Sequence, residues 1–195
     1  VPSRTTRRER TTAALAGLVV VAGIATAGVA LADGEAETTD VARQTHAEQQ
    51  VEGTPCSISA QACVDLETQR AWLIENGAVV HGPVPIASGG AGQETPIGHS
   101  FRVYRKDAEH TSGEFTTPEG QPSPMPFSVF FADGGVAFHG GDRDRASAGC
   151  VKLDLDQAQR FFSGLEVGDK VQVLDASTER DERDERDERA RLTTR

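Results

Sequence analysis

Apolar positions along the chain fall into sharply different regimes. Residues 13 to 32, "AALAGLVVVAGIATAGVALA", are small or apolar almost without interruption. Residues 33 to 53 are polar and acidic, with scattered alanine and valine. Between residues 60 and 175 the apolar residues gather into short runs: "ACVDLE", "RAWLIENGAVVHGPVPIAS", "SFRVY", "FSVFFADGGVAFH" and "KVQVLD". Runs of this length bounded by Gly, Asn, Asp and Pro predict strands. Asn76-Gly77 and Gly134-Gly135 read as hairpin turns. One segment, "DLDQAQRFFSGL", has helical spacing instead, with Leu155, Ala158, Phe161 and Phe162 along one face. Asp154 followed by Gln157 has the form of a capping box, and Gly164 is a stop signal. The last stretch, "STERDERDERDERARLTTR", repeats Glu-Arg-Asp and offers nothing to bury.

The pattern predicts a mainly β domain, a sandwich or partly open barrel with one helix, over residues 54–175. Residues 33–53 read as an acidic polar linker and 176–195 as a charged, disordered tail. Arg4, Arg7, Arg8 and Arg10 precede the long apolar run, and Ala30 and Ala32 flank Leu31 near its end. Residues 1–32 therefore have the form of a secretory signal, with an uncleaved membrane anchor as the rival reading. Both place the domain outside the cytoplasm, secreted or held at the cell envelope, with membrane contact confined to residues 13–32.

Charge narrows the partners. The whole chain carries a formal charge of −10, and residues 1–32 contribute four Arg and one Glu, so the remainder stands at −13. A nucleic-acid partner is not expected for so acidic a domain.

Three cysteines raise the question of chemistry. Cys56 and Cys63 are close in sequence and form the natural disulfide of an exported domain. Cys150 is then odd: an unpaired core thiol, half of an intermolecular bridge, or a nucleophile. Gly149 before it allows close backbone approach to a substrate, and the Gly149 and Cys150 amides could face an oxyanion. His139 ends an apolar strand before Gly140-Gly141, where a turn would hold it at a rim. Arg143, Arg145 and Lys152 flank the thiol and would favour a thiolate. His139 and Cys150 lack two further ligands at recognisable spacing, so no metal is expected there.

Three ordered motifs then carry a resemblance. His139-Gly140 followed by Ser147-Ala148-Gly149-Cys150-Val151-Lys152-Leu153 resembles the signature of the L,D-transpeptidase catalytic domain (YkuD-like). "ETPIGHSFRV" resembles that family's Thr-Pro-x-Gly segment, and "MPFSVFFADGGVAFHG" its Met-Pro-aromatic segment. The resemblance covers about residues 60 to 175. It implies acyl transfer on peptidoglycan stem peptides without metal or organic cofactor. Cys150 is then the nucleophile, His139 the general base, and Gly140, Arg143, Ser147, Gly149 and Lys152 the oxyanion and substrate contacts. The family's usual histidine before Gly-Cys is Ala148 here. A non-catalytic wall-binding module with a decayed site, or a sortase-like transpeptidase, stays open beside it. Against sortases, Gly149 precedes the sulfur and their Thr-Leu-x-Thr strand is missing.

Overall fold

The computed structural model describes residues 43–194. The expected signal or anchor at 1–32, and the linker up to residue 42, lie outside the described residues. Among those described, no helix is long and apolar enough to cross a membrane.

Among the described residues, nine strands form two mixed sheets with no closed barrel. They are β1 (Ala62–Asp65), β2 (Arg70–Glu75), β3 (Ala78–Pro85), β4 (Gly98–Arg102), β5 (Arg105–Thr116), β6 (Pro122–Ala132), β7 (Val136–Gly140), β8 (Val151–Leu153) and β9 (Lys170–Leu174). The first sheet has the order β3-β2-β1-β9-β4, the second β5-β6-β7-β8. Two adjacent pairs are parallel, β1 with β9 and β7 with β8. Two longer helices, α1 (Leu155–Gly164) and α2 (Ala176–Thr193), accompany a helical turn at residues 43–47 among the described residues.

The expected turns are where the sequence puts them. Asn76 (φ 52°) and Gly77 (φ 75°) join β2 to β3, the left-handed pair that a two-residue hairpin requires. Gly134 and Gly135, also left-handed, join β6 to β7 through a short 3₁₀ turn. Strand β5 and the three-residue β8 are elements that apolar patterning does not reveal; β5 is the longer. Strand β5 reads RKDAEHTSGEFT, mostly exposed, and sits at a sheet edge where polar residues guard against pairing with another chain.

Alternation sorts the cores. Ala62 and Val64 of β1, Ala71 and Leu73 of β2 and Val171 and Val173 of β9 face the main core, shared with Val129, Phe131, Phe138, Val151, Leu153 and Phe161. Phe138 lies 5.1 Å from Phe161 and 4.8 Å from Phe131 between ring centroids, so β7 is wedged between β6 and α1. The opposite face of the first sheet is buried too. Cys63, Trp72, Ile74 and Leu174 meet Val51, Cys56 and Ala60 in a second, smaller core. This is why "AWLI", residues 71–74, is continuously apolar: a strand covered on both faces has no polar side to show. The expected Cys56–Cys63 disulfide is formed and pins the covering segment to β1.

Two expectations about the ends of the domain are corrected. Residues 43–53 are not a free linker: Thr45, His46 and Val51 are buried, and Val51 donates its N–H to the Cys56 carbonyl at 2.9 Å. The charged repeat is not a disordered tail. It forms α2, and Glu179 and Arg183 are buried in its first two turns. The end of β1 and the turn after it help hold it there, because Asp65 Oδ1 accepts the Ala176 N–H at 3.2 Å and Glu67 Oε2 accepts that of Ser177 at 2.8 Å. Arg183 donates to the carbonyls of Thr45, His46 and Glu48. The two charged ends cover each other's polar groups, a solution available only when both are folded.

Candidate active site

The site grows from the parallel pair β7–β8. Phe138 aligns with Val151 and His139 with Lys152. Phe138, Val151 and Leu153 are fully buried in the main core. Side chains alternate along a strand, so His139, Lys152 and Cys150 share the other face. Two strands thus bring together residues eleven positions apart in sequence.

The loop before Cys150 is framed by a segment that sequence reading passed over. After β3, Ala87 exchanges hydrogen bonds with Lys152 in both directions, at 3.0 and 2.8 Å. Ser147 N–H donates to the Ser88 carbonyl at 2.9 Å, and Gly90 N–H to the Ser147 carbonyl at 3.1 Å. Gln69 clamps Ser88 through its N–H and its hydroxyl. Residues 87–90 thus act as an extra strand along the Cys150 loop. A Cβ on Gly89 would sit 2.0 Å from the Gln93 carbonyl oxygen, so only glycine fits. The Ser88-Gly89-Gly90 run was the available signal. Thr95, of the Thr-Pro-x-Gly segment, is buried and accepts the Gly89 N–H at 2.8 Å.

The individual residues are set as follows. Gly149 has φ +102°, a conformation costly for any residue with a side chain. The Ser147 hydroxyl donates to the Cys150 carbonyl, holding the turn from inside. Gly140 is packed: a Cβ there would lie 3.0 Å from Leu155 and 3.1 Å from the Pro126 ring. Pro126 belongs to the Met-Pro-aromatic segment, where the next residue, Phe127, takes a left-handed φ of 57°.

His139 is buried rather than at a rim, with only 7% of its surface exposed. Burial is the main cause holding its pKa below the ordinary histidine value, and Lys152 and His110 act in the same direction, against the Gly140 hydrogen bond. Its Nδ1 lies 2.9 Å from the Gly140 carbonyl. A carbonyl can only accept, so Nδ1 carries the proton and Nε2 presents a lone pair.

Cys150 is free and half-buried, with Sγ 3.7 Å from the Gly135 carbonyl oxygen. Burial pushes its pKa above that of an ordinary thiol, outweighing the Ala137 backbone hydrogen bond and the charge of Lys152. The expectation that flanking cations make a thiolate is therefore corrected. Arg143 is spent in a bidentate pair with Asp154, both contacts at 2.8 Å. Lys152 Nζ is spent on the Arg145 and Ala146 carbonyls. The same Arg143 pair displaces the expected capping box. Asp154 precedes α1 but makes no side-chain cap, and the Gln157 carboxamide oxygen meets His81 instead. The site thus holds a neutral thiol and, on the neighbouring strand and the same face, a neutral imidazole whose Nε2 can accept a proton.

The family model of the L,D-transpeptidase catalytic domain (YkuD) matches residues 59–173, more than half of the chain. The chain belongs to that family. It is 30% identical over 123 residues to the probable L,D-transpeptidase YbiS of Escherichia coli K12, the match covering 50% of this chain and 40% of that protein. The chain therefore spans well under two thirds of the curated relative's length. Among solved structures, a mutant of the Enterococcus faecium L,D-transpeptidase is 26% identical with a TM-score of 0.50, covering 60% of this chain and 50% of that one. An L,D-transpeptidase from Stackebrandtia nassauensis has a TM-score of 0.53 at 23% identity, covering 71% and 66%, and shows the shared fold. A sortase-like assignment is set aside by the family match.

Proposed function

We propose that this L,D-transpeptidase-family domain works outside the cytoplasm on peptidoglycan stem peptides, through a thioester on Cys150 with His139 as base. The observation that carries the reading is His139 itself: on the strand beside Cys150, on the same face, with Nδ1 tied to the Gly140 carbonyl and Nε2 able to accept a proton. In the reaction Nε2 takes the thiol proton as Sγ attacks the donor carbonyl that links an L-centre to a terminal D-residue. The Gly149 and Cys150 amides receive the oxyanion. Collapse breaks the peptide bond, and the imidazolium gives its proton to the departing amine. An amine of a neighbouring stem then attacks the thioester, loses a proton to His139 and restores the thiol.

The test is the rate of covalent mass gain with a carbapenem, an acylating β-lactam. The wild type gains one adduct and Cys150→Ala none, while His139→Ala is slower by about 10² to 10⁴-fold. Equal rates for wild type and His139→Ala would remove the histidine from the mechanism. Because burial holds the His139 pKa below about 6.5, the base stays neutral down through that pH. Acylation falls only under more acidic conditions.

Ala148, in place of the family's histidine, favours a second reading: a wall-binding module whose site has decayed. That reading requires a wild type that never acylates and an Ala148→His variant that does. The catalytic reading expects only a modest change from the same substitution.

A further inference from the structure

At the far end of the domain, four metal-ligating side chains from separate parts of the chain converge. His46 comes from the helical turn at residues 43–47, His99 from β4, and Glu179 and Glu182 from α2. One donor atom from each lies within 4.8 Å of all the others. His46 Nε2 is 3.0 Å from Glu179 Oε2 and 3.2 Å from Glu182 Oε2, and His99 Nε2 is 2.8 Å from the same Glu179 oxygen.

The geometry points to a structural zinc site with His46, His99, Glu179 and Glu182 as its four ligands. Zinc takes nitrogen and carboxylate oxygen at about 2.0–2.2 Å in tetrahedral array, which places ligand atoms about 3.3 Å apart. The three contacts at 2.8–3.2 Å lie just inside that spacing, and the remaining donor pairs are all within 4.8 Å, so the four atoms surround a point that an ion could occupy with small side-chain shifts. Glu179 and Glu182 are three residues apart on one helix face, the spacing at which a helix supplies two ligands to one ion. The donor set of imidazole and carboxylate suits zinc rather than calcium or magnesium, which favour all-oxygen shells.

A second observation points the same way. The Glu179 side chain is only 1% exposed, and its other oxygen, Oε1, accepts the Arg183 Nε–H at 2.6 Å. Arg183 thereby fixes the carboxylate with Oε2 turned into the cluster, the outer support that ligating carboxylates characteristically have. Both imidazoles would present the Nε2 lone pair, with their protons on Nδ1. Glu182, half exposed at 50%, provides the entry side. With four protein ligands the site is closed, so its role is to join residues 43–47, β4 and α2 rather than to do chemistry. It is independent of the proposed reaction at Cys150.

The experiment uses the full chain carrying Cys150→Ser, so that the thiol cannot contribute. The chelator-treated protein is titrated with Zn²⁺ against a chromophoric competitor, and melting is followed with and without the ion. One equivalent is expected to bind saturably well below about 100 µM and to raise the melting temperature by several degrees. Glu182→Gln, at the accessible rim, weakens binding by at least about tenfold without changing the melting temperature of the metal-free protein. His99→Gln abolishes the zinc-dependent rise. No saturable binding in that range, or binding unchanged in both variants, would overturn the site and leave a cluster held by protons alone.

Discussion

The loop from Gly141 to Ala146 and helix α2 both alternate Arg with Asp or Glu, and they put those charges to opposite uses. In the loop, beside Cys150, Arg143 and Asp154 close on each other near the surface, with the Arg143 side chain 28% and the Asp154 side chain 50% exposed. In α2, Glu179 and Arg183 are withdrawn from water and bound to an N-terminal segment more than 130 residues away. The loop's charges shape a turn, while the helix's charges build an interface. Proximity in sequence to Cys150 thus says little about which charges matter. What decides is whether another part of the chain covers them.

Four substitutions or titrations would break or sharpen this contrast. The largest effect is expected for Arg183→Ala. Removing one partner of a buried ion pair strands the other, and three backbone carbonyls also lose their donor. Urea unfolding should show a loss of about 3 kcal/mol. A loss under about 0.5 kcal/mol would mean that α2 is not docked in solution.

Next is the pH dependence of Cys150 alkylation in the native protein. Its thiol is held above the ordinary value by burial. The iodoacetamide rate should therefore climb about tenfold per pH unit from neutrality to beyond pH 9, following the thiolate fraction. A plateau near pH 7 would show a thiolate already formed and return the loop cations to an electrostatic role. In the same experiment mass spectrometry should find one labelled cysteine, because Cys56 and Cys63 are joined.

Arg143→Ala should be mild despite its bidentate geometry, at most about 1 kcal/mol by urea unfolding, because solvent screens a surface pair. It should also leave the Cys150 alkylation rate within about twofold, since the guanidinium already answers to Asp154. A tenfold drop in that rate would show that Arg143 acts on the thiol after all. Smallest is Arg189→Ala on the exposed side of α2, whose partner Glu185 is also mostly in solvent. Its unfolding midpoint should match the wild type's within error, and a measurable shift would place further contacts on that face.

Much of this protein was determined by sequence alone. Wherever a run is short, apolar and bounded by turn residues it is a strand, because local sterics and one-sided burial act on the same few residues. Asn76-Gly77 and Gly134-Gly135 specify their turns because few other residues accept positive φ. Val136–Gly140 was legible as a strand, and the motif around Cys150 as a candidate site, because both depend on contiguous residues; the three-residue strand Val151–Leu153 was not, being too short to leave a pattern. The Cys56–Cys63 bridge followed from spacing and the inferred export.

Tertiary structure decided the rest. Asp154 is a cap by local rules but answers to Arg143, which reaches it from eleven residues upstream. His139 was expected at a rim, but it is buried, with Lys152 of β8 and His110 of β5 near enough to act on its charge, an arrangement that no local pattern records. Strand β5 is polar because it lies at an edge, a position that exists only once the sheet is assembled. The Glu-Arg-Asp repeat has no apolar face, so hydrophobic periodicity gives it nothing to do. Its partners are His46, His99 and the carbonyls of Thr45, His46 and Glu48, all 80 or more residues away along the chain. Such polar matches are long-range and pairwise, and a buried charge becomes stable only when every partner arrives together. Hydrophobic burial is non-directional and leaves a periodic trace along each element, whereas directional polar burial is written only in three dimensions.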